Sequence, residues 1–403
     1  MTPRRLFAAF ILAFATLFST LVPSLAHAGT PLVVGERLVL PSKVMAEERT
    51  LFVSVPGSYA KTTRRYPVLY LTDAEAQFEH TSATAAFLAR SGFMPEVIVV
   101  GVTNTDRTRD LSPSRDPKFP TSGGADRFLD FLEKELVPFV ESTYRTAPYR
   151  IFAGHSAGGN FAFHAMRVKP DLFQAVIAVS PWLVGNERKD LKPLTAFLAG
   201  GDVKTRALFF TSGDEGPEMR DVLGQVSATL KSTASKGLRW GTANYPDENH
   251  GSVVLPSHYA ALRMIFDGWS IPVDPATERL VGTLDDVKKR YAGLSERLGF
   301  AVTAPEISVN RLGYQALMQK DVSAALAFFR YNAATHPESA NVYDSLGDAL
   351  EASGSLEDAL ASFTKAADLG QKSGDANTKF FKANADRVRA KLATQVRETP
   401  HER

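Results

Sequence analysis

Residues 150–166 read RIFAGHSAGGNFAFHAM. An apolar run ends at Gly154, the sequence Gly-His-Ser-Ala-Gly-Gly follows, and small and apolar residues then continue at helical spacing. This order predicts a buried strand that turns sharply into a helix, with Ser156 on the turn. Glycines on both sides of such a turn let the backbone crowd together and leave the serine hydroxyl clear of the sheet. Ser156 is therefore either a nucleophile or a small turn residue, and its position between strand and helix favours the nucleophile.

The chain up to residue 246 alternates short apolar runs with helical patterns. The apolar runs span residues 32–40, 50–56, 66–73, 96–104, 149–154, 174–180, 206–213 and 238–246. Continuous apolar runs are typical of strands that are buried on both faces, and strands that alternate with helices favour a parallel sheet. We therefore predict an α/β fold with a mostly parallel sheet of about eight strands. A serine on a sharp turn from strand to helix in such a sheet is typical of an α/β-hydrolase.

The first 28 residues have the pattern of a secretory signal peptide. Arg4 and Arg5 precede a long apolar run, and Ala26-His27-Ala28 forms a small-residue cleavage site. We predict cleavage after Ala28 and a periplasmic or secreted protein. Loss of these two arginines from the 46 basic residues leaves 44 basic and 44 acidic residues, which provide no basic field for nucleic acid. No later stretch approaches the ~20 apolar residues of a membrane span.

Residue usage also narrows the possible chemistry. The chain contains no cysteine, which excludes a cysteine nucleophile and thiolate metal ligands. The sequence also lacks the H-E-x-x-H metal motif and the Gly-rich phosphate loop. We predict no metal site and no cofactor.

The C-terminal part has a different composition, because strand-like runs stop near Pro272 and Pro275 and helical patterns take over. Two segments, from Leu312 and Leu346, repeat each other at an offset of 34 residues, which is the tetratricopeptide (TPR) period. The identities include Gly313/Gly347, Ala325/Ala359, Leu326/Leu360, Phe329/Phe363 and Ala333/Ala367. We predict a hydrolase domain over 29–272, a helical linker over 273–305, an all-α TPR-like domain over 306–395 and a tail over 396–403.

An α/β-hydrolase places the acid and then the histidine after the nucleophile along the chain. His250 lies in the polar loop YPDENHGSVV after the last predicted strand, whereas His258 falls in a predicted helix. His250 is therefore the predicted general base. The segment GDEGPEMRD follows the strand over 206–213 and offers Asp214, Glu215 and Glu218 as the acid. A carboxylate at this strand tip can reach the imidazole, and the residues alone do not separate Glu215, which we favour, from Asp214.

Further residues are predicted around the serine. The N–H of Ala157, at the start of the helix, and that of Ala74 or Glu75, after VLYLTD, are candidate oxyanion donors. Arg107, with its neighbours Arg109 and Asp110, either lines the pocket mouth and binds substrate or forms a self-paired surface loop. Trp182 is predicted to form a wall of the substrate pocket or to pack beneath that loop.

The motifs together resemble the esterase D and ferric-enterobactin esterase-like branch of the α/β-hydrolases over residues 30–270. PVLYLTDAE is similar to its oxyanion-loop strand, GVTNTDRTRDLSP to a loop after the next strand, GHSAGG to its elbow and ENHGSV to its histidine loop. SGDEG resembles the acid loop, and its glutamate supports Glu215. HPESANVYDSLGDAL is similar to the TPR tail of a bacterial subgroup. SPWLVGN differs from siderophore esterases, which tend to carry an aromatic pair there, and this difference disfavours a catecholate siderophore.

The sequence thus predicts an exported serine carboxylic-ester hydrolase that acts on a small-molecule ester through a Ser-His-acid triad and an acyl-enzyme. One alternative is an acyltransferase on the same residues, in which a sugar or lipid hydroxyl replaces water. Another is a protein-binding adaptor that uses the TPR-like region and an inactive hydrolase scaffold. The TPR-like region is also a candidate site for a protein partner, whether the enzyme is a hydrolase or an acyltransferase.

Overall fold

The computed structural model describes residues 32–201, 203–233 and 237–398, so the predicted signal peptide over 1–28 lies outside it. It contains eight named strands: β1 (Glu36–Ser42), β2 (Glu47–Ser54), β3 (Tyr66–Leu71), β4 (Ile98–Val102), β5 (Thr146–His155), β6 (Ala175–Val179), β7 (Ala207–Ser212) and β8 (Arg239–Asn244). They form one sheet in the order β1-β2-β4-β3-β5-β6-β7-β8. β2 pairs antiparallel with β1 and with β4, and every other neighbouring pair is parallel. The predicted eight-stranded, mostly parallel sheet is confirmed.

Helices cover both faces of this sheet. They are α1 (Ala74–Arg90), α2 (Arg107–Leu111), α3 (Ala125–Phe131), which continues through a π-helical turn (Leu132–Leu136) into α4 (Val137–Thr143), α5 (Ala157–Val168), α6 (Leu191–Ala199), α7 (Gly216–Ser232) and α8 (Val254–Ile265). On one face Phe152 of β5 packs against Phe161 of α5, with ring centroids 5.5 Å apart. On the other face Tyr149 of β5 packs against Phe266, just after α8, at 5.9 Å. β5 is therefore buried between two helical layers, as its apolar sequence predicts.

The C-terminal region is all-helical in the described residues up to 398. It comprises α9 (Leu284–Leu298), α10 (Glu306–Met318), α11 (Val322–Thr335), α12 (Ala340–Ala352), α13 (Leu356–Ser373) and α14 (Thr378–Glu398). None of the described helices combines the length and the apolar character needed to cross a membrane.

The first of these helices share a hydrophobic core with the sheet. Tyr291 of α9 packs edge-on against Trp269 at 5.6 Å and donates a hydrogen bond to its carbonyl. Phe300 packs against Tyr149 of β5 at 5.8 Å. Val309 and other apolar residues of α10 belong to the same buried cluster. The helices α9 and α10 are therefore continuous with the core of the sheet.

Polar contacts add a second attachment between the helical region and the loop after β2. Arg64 Nη2 donates to His336 Nδ1 at 2.8 Å, while His336 Nε2 lies 2.9 Å from the carbonyl of Ala304. The hydroxyl of Thr63 donates to Glu338 Oε1 at 3.2 Å. His336 is buried, and burial is the main reason why its pKa lies below the ordinary value of 6.5. Because His336 is neutral, its Nδ1 carries no proton and can accept the hydrogen bond from Arg64.

The two sequence repeats make the same packing contact in space. A Cβ atom on Gly313 would lie 2.5 Å from the ring of Phe329, and a Cβ atom on Gly347 would lie 2.6 Å from the ring of Phe363. Both phenylalanines are fully buried. In each helix pair the glycine therefore allows a close approach that any side chain would block, and the contact recurs 34 residues later.

We expect Gly347→Ala to lower the free energy of unfolding by about 1–3 kcal/mol, because the added methyl group displaces a buried ring. Gly224→Ala is a matched control, since Gly224 lies within α7 and a Cβ atom there meets nothing within 4 Å. That change should stabilise the protein by about 0.5–1 kcal/mol through helix propensity. Urea unfolding followed by circular dichroism measures both values. Equal effects of the two substitutions would contradict the packing explanation.

Candidate active site

The sharp turn between β5 and α5 holds Ser156 in a backbone conformation that non-glycine residues rarely adopt, with φ 59° and ψ −116°. Three backbone hydrogen bonds fix it. The Ser156 N–H donates to the carbonyl of Val179 at 2.9 Å, and its own carbonyl accepts from Asn160 and Trp182 at 3.0 and 2.9 Å. A strained residue that neighbouring elements hold in place is typical of a functional site.

Gly154 makes this turn possible. A Cβ atom at this position would lie 2.0 Å from the carbonyl oxygen of Gly158, a distance that no side chain could occupy. The glycine thus lets the first turn of α5 fold back onto the end of β5. This is the crowding that the Gly-His-Ser-Ala-Gly motif predicted.

The histidine loop between β8 and α8 brings His250 to the same edge of the sheet. Asn249 shapes this loop, because its side-chain oxygen accepts hydrogen bonds from the backbone N–H groups of Gly251 and Ser252 at 2.9 and 3.0 Å. The carboxyl ends of β5, β7 and β8 meet at this edge because these strands are parallel. Residues far apart in sequence can therefore face one cavity.

Glu215 is the acid that contacts His250. Its Oε1 accepts a hydrogen bond from His250 Nδ1, and its side chain is only 7% exposed, against 46% for the histidine. Burial pushes the pKa of Glu215 upward, but the hydrogen bond and the charge of His250 act in the opposite direction, and the pKa lies below its ordinary value of 4.5. The carboxylate is therefore charged at neutral pH and faces an imidazole N–H.

The other two acid candidates, Asp214 and Glu218, line a cavity beside His250 but form no ion pair with it among the described residues. Asp214 is 69% exposed, and its nearest charged partner is Arg220 at 3.6 Å. Glu218 lies in the first turn of α7. The structure thus brings Glu215, and not its two neighbours, to the imidazole.

Ser156 and His250 line one cavity of about 310 Å³. Among the described residues, no direct hydrogen bond joins these two side chains. Hydrogen bonds between a serine and its base are often long in substrate-free structures and shorten when substrate binds. The arrangement can therefore place a carbonyl carbon between the hydroxyl and the donors described next.

The predicted oxyanion donors lie at two helix starts. Ala157 is the first residue of α5 and Ala74 is the first residue of α1, so the backbone N–H of each lacks a partner within its own helix. Asp73 precedes α1 in a left-handed conformation, with φ 56° and ψ 41°. Glu75, the alternative donor, accepts a hydrogen bond from the Asn104 N–H through its side chain at 2.7 Å. Helix N-termini favour the negative charge of an oxyanion.

Comparison with known proteins agrees with this geometry. Residues 42–263 match the family described as Putative esterase, which is more than half of the chain. The chain belongs to this esterase family. It is 29% identical over 255 residues to the ferri-bacillibactin esterase of Bacillus subtilis, covering 54% of this chain and 85% of that protein. It is 30% identical over 243 residues to the siderophore enterobactin esterase of Emericella nidulans, covering 47% and 78%.

A solved structure supports the same conclusion. The IroE-like serine hydrolase from Shewanella oneidensis has a TM-score of 0.65 and 30% sequence identity to this esterase, covering 75% of this chain and 99% of that one. The predicted enzyme class is thus confirmed: the protein is a serine hydrolase of the esterase type.

Arg107 holds two loops of the esterase together at the cavity wall. Its guanidinium forms a bidentate pair with Asp73, at 2.6 and 3.1 Å, and also donates to the carbonyl of His155 at 3.2 Å. The side chain is 39% exposed and lines the cavity that contains Ser156. Arg109 and Asp110 pair with each other instead and join a network around Glu47 and the buried Arg49.

Trp182 separates two cavities at the esterase site. It lines the cavity of Ser156 and a second one of about 350 Å³, which also contains Glu215 and Met219. Trp182 is 48% exposed. Phe119 lines the first cavity together with Trp182 and is 52% exposed. Phe119 was not predicted, because it lies in an irregular segment and carries no motif.

Among the described residues, no group of three or more His, Asp or Glu is arranged to hold a metal ion.

His155 is a second residue that sequence reasoning did not single out. Its Nε2 lies 2.7 Å from the carbonyl oxygen of His250, and the two rings are 4.6 Å apart. The residue precedes Ser156, so it was treated only as part of the elbow motif. Its partner lies 95 residues further along the chain.

Proposed function

We propose that the protein is an exported carboxylic-ester hydrolase in which Ser156, His250 and Glu215 form a catalytic triad and an acyl-enzyme is the intermediate. The contact between Glu215 and His250 beside the strained Ser156 turn carries this proposal. The order serine, acid, histidine along the chain is that of an α/β-hydrolase. Export rests on the signal-like pattern of residues 1–28.

In the first half of the reaction, Ser156 Oγ attacks the ester carbonyl carbon and its proton passes to His250 Nε2. Glu215 stabilises the resulting imidazolium through Nδ1–H. The carbonyl oxygen becomes an oxyanion that accepts hydrogen bonds from the N–H groups of Ala157 and Ala74, each contributing about 3 kcal/mol. The imidazolium then protonates the alkoxide as the C–O bond breaks, so the alcohol leaves and the acyl group remains on Ser156.

In the second half, His250 takes a proton from water and the hydroxide oxygen attacks the acyl carbon. The bond to Ser156 Oγ breaks, the serine recovers its proton from the imidazolium and the carboxylic acid leaves. No cofactor is needed for either half. In the acyltransferase alternative, an acceptor hydroxyl replaces water in this step.

For the substrate we propose a siderophore ester, the class for which the two named relatives are called esterases. The nucleophile cavity suits a polar substrate with aromatic groups, because the exposed rings of Phe119 and Trp182 stand among hydroxyl and amide side chains. Trp182 lacks the aromatic neighbour expected in siderophore esterases. Phe119, which comes from a different loop, supplies a second ring in the same cavity.

For the helical region we propose a TPR-like architecture. The recurrence of the Gly313–Phe329 contact in Gly347–Phe363 supports it, since both residue types and the 34-residue spacing agree. A protein partner for this region remains a prediction. The adaptor alternative requires such a partner and no reaction at Ser156.

A fluorophosphonate probe tests the proposed nucleophile. We expect one covalent adduct per chain, on the peptide that contains Ser156, and loss of hydrolysis in proportion to labelling. Incubation with ferric and iron-free siderophore esters, followed by mass spectrometry, then tests the substrate class, and an added alcohol acceptor separates hydrolysis from acyl transfer. An adduct elsewhere, or none, would contradict the triad, whereas labelling without siderophore cleavage would contradict only the substrate class.

A further inference from the structure

The residue between Gly154 and Ser156 makes an unusual contact with the histidine loop. His155 Nε2 lies 2.7 Å from the carbonyl oxygen of His250, and the ring centroids are 4.6 Å apart with the planes tilted by 44°. A carbonyl oxygen only accepts hydrogen bonds, so His155 Nε2 must carry the proton and act as the donor. The contact therefore joins the nucleophile turn to the backbone of the very residue that bears the base.

His155 is suited to this role because it stays neutral. Burial and the neighbouring His250 lower its pKa to about 4, so a single proton remains on Nε2 above that pH. In the proposed mechanism the His250 ring becomes cationic. A neutral neighbour at 4.6 Å tolerates that charge, whereas a second cation there would oppose it.

The same residue is anchored from its other end. The carbonyl of His155 accepts a hydrogen bond from Arg107 Nη2, and Arg107 is paired with Asp73. Asp73 immediately precedes Ala74, the proposed oxyanion donor. One chain of contacts thus connects the oxyanion loop, the nucleophile turn and the histidine loop, which follow β3, β5 and β8 respectively.

The histidine loop has few other ties to the rest of the site. Most of its hydrogen bonds are internal and involve Asn249. The Asp214 N–H holds the carbonyl of Glu248 at 2.8 Å, and Glu215 holds the imidazole itself. Among the described residues, the contact between His155 Nε2 and the His250 carbonyl joins the peptide of His250 to the nucleophile turn directly.

We propose that His155 is a positioning residue that holds the His250 backbone, and thereby the imidazole, at the distance from Ser156 that proton transfer requires. The proposal rests on the proposed function, because it assumes that His250 is the base. A misplacement of about 1 Å in a catalytic group costs about 100-fold in rate, so a single hydrogen bond of this kind has a measurable effect.

The test compares variants that keep or lose the donor. His155→Gln retains an N–H near the position of Nε2, whereas His155→Phe and His155→Leu fill the space without a donor. For hydrolysis of p-nitrophenyl butyrate we expect kcat to fall about 10- to 100-fold in the Phe and Leu variants, with KM changed less than about 3-fold. His155→Gln should keep kcat within about 5-fold of the unmodified protein. The melting temperature identifies any variant that fails to fold. The test needs only one of the two donorless variants, Phe or Leu, to fold.

The positioning role would be overturned if His155→Gln and a folded Phe or Leu variant had the same kcat. This holds whether both values stay near that of the unmodified protein or both fall. A large rise in KM with unchanged kcat would also overturn it, since it would indicate a substrate contact. Failure of the proposed function is distinguishable, because Ser156→Ala would then hydrolyse the ester as fast as the unmodified protein.

Discussion

Replacing Ser156 with alanine is expected to lower kcat/KM for p-nitrophenyl butyrate by at least ~10³-fold, the scale on which a triad nucleophile contributes. The change removes the oxygen that forms the acyl-enzyme but keeps a small side chain on the turn. The backbone hydrogen bonds of residue 156 to Val179, Asn160 and Trp182 do not involve the hydroxyl. The melting temperature should therefore stay within a few degrees.

A matched control is Ser227→Ala on α7, where the hydroxyl donates only to the carbonyl of Leu223. It should leave kcat/KM within about 2-fold. Hydrolysis by the Ser156 variant at the rate of the control would mean that Ser156 is a turn residue, and the adaptor interpretation would then lead. If the Ser156 variant keeps only the residual rate acceleration that the oxyanion donors and substrate binding provide, the result agrees with the triad.

The second large expected effect is a loss of kcat that distinguishes Glu215 from the adjacent Asp214. Glu215→Gln should lower kcat by about 10²- to 10⁴-fold, because an amide cannot stabilise the imidazolium as a carboxylate does and favours the wrong histidine tautomer. Asp214→Asn should change kcat by less than about 3-fold, since Asp214 is largely exposed and lies 3.6 Å from Arg220. The pair is matched, as both substitutions remove one charge at neighbouring positions. Steady-state kinetics at pH 7 to 8 measures both.

The pH of this comparison follows from the pKa of Glu215. The contact with His250 holds it below 4.5 despite burial, so the carboxylate is charged at neutral pH and its contribution is lost only as the pH falls through the lowered pKa. Glu215 therefore keeps its charge throughout the pH 7 to 8 range of this comparison. Comparable losses in Glu215→Gln and Asp214→Asn would contradict the assignment of Glu215.

The elbow and the histidine loop could be predicted because their signals are local. Gly154 and Ser156 are adjacent in sequence to the strand and helix that they join, and the chain order of an α/β-hydrolase leaves His250 as the best-placed histidine. The carboxylate that contacts His250 was harder to predict, because Asp214 and Glu215 lie side by side at one strand tip. Which of them turns inward depends on the backbone at the start of α7, where Glu215 has φ −118° and ψ 16°.

Contacts between distant residues were not predictable in this way. His155 has no recognisable pattern apart from the elbow motif, and Phe119 enters the cavity from an irregular loop. For Arg107 the sequence left a substrate role and a self-paired loop open. The structure shows that Arg107 lines the cavity and also has a partner outside its own loop, since Asp73 lies 34 residues away at another strand end. Periodicity reports which side of an element is buried, but not which other element covers it.

The boundary that composition indicates near Pro272 does not coincide with a gap in the core. Tyr291 covers Trp269 and Phe300 covers Tyr149 on β5, so apolar surface of the sheet is buried by helices that follow the boundary. A chain ending at Pro272 would present those aromatic rings to water. The helices that share this core, α9 and α10, should therefore melt together with the sheet, so the boundary in composition is not a position at which the chain divides into two independently stable parts.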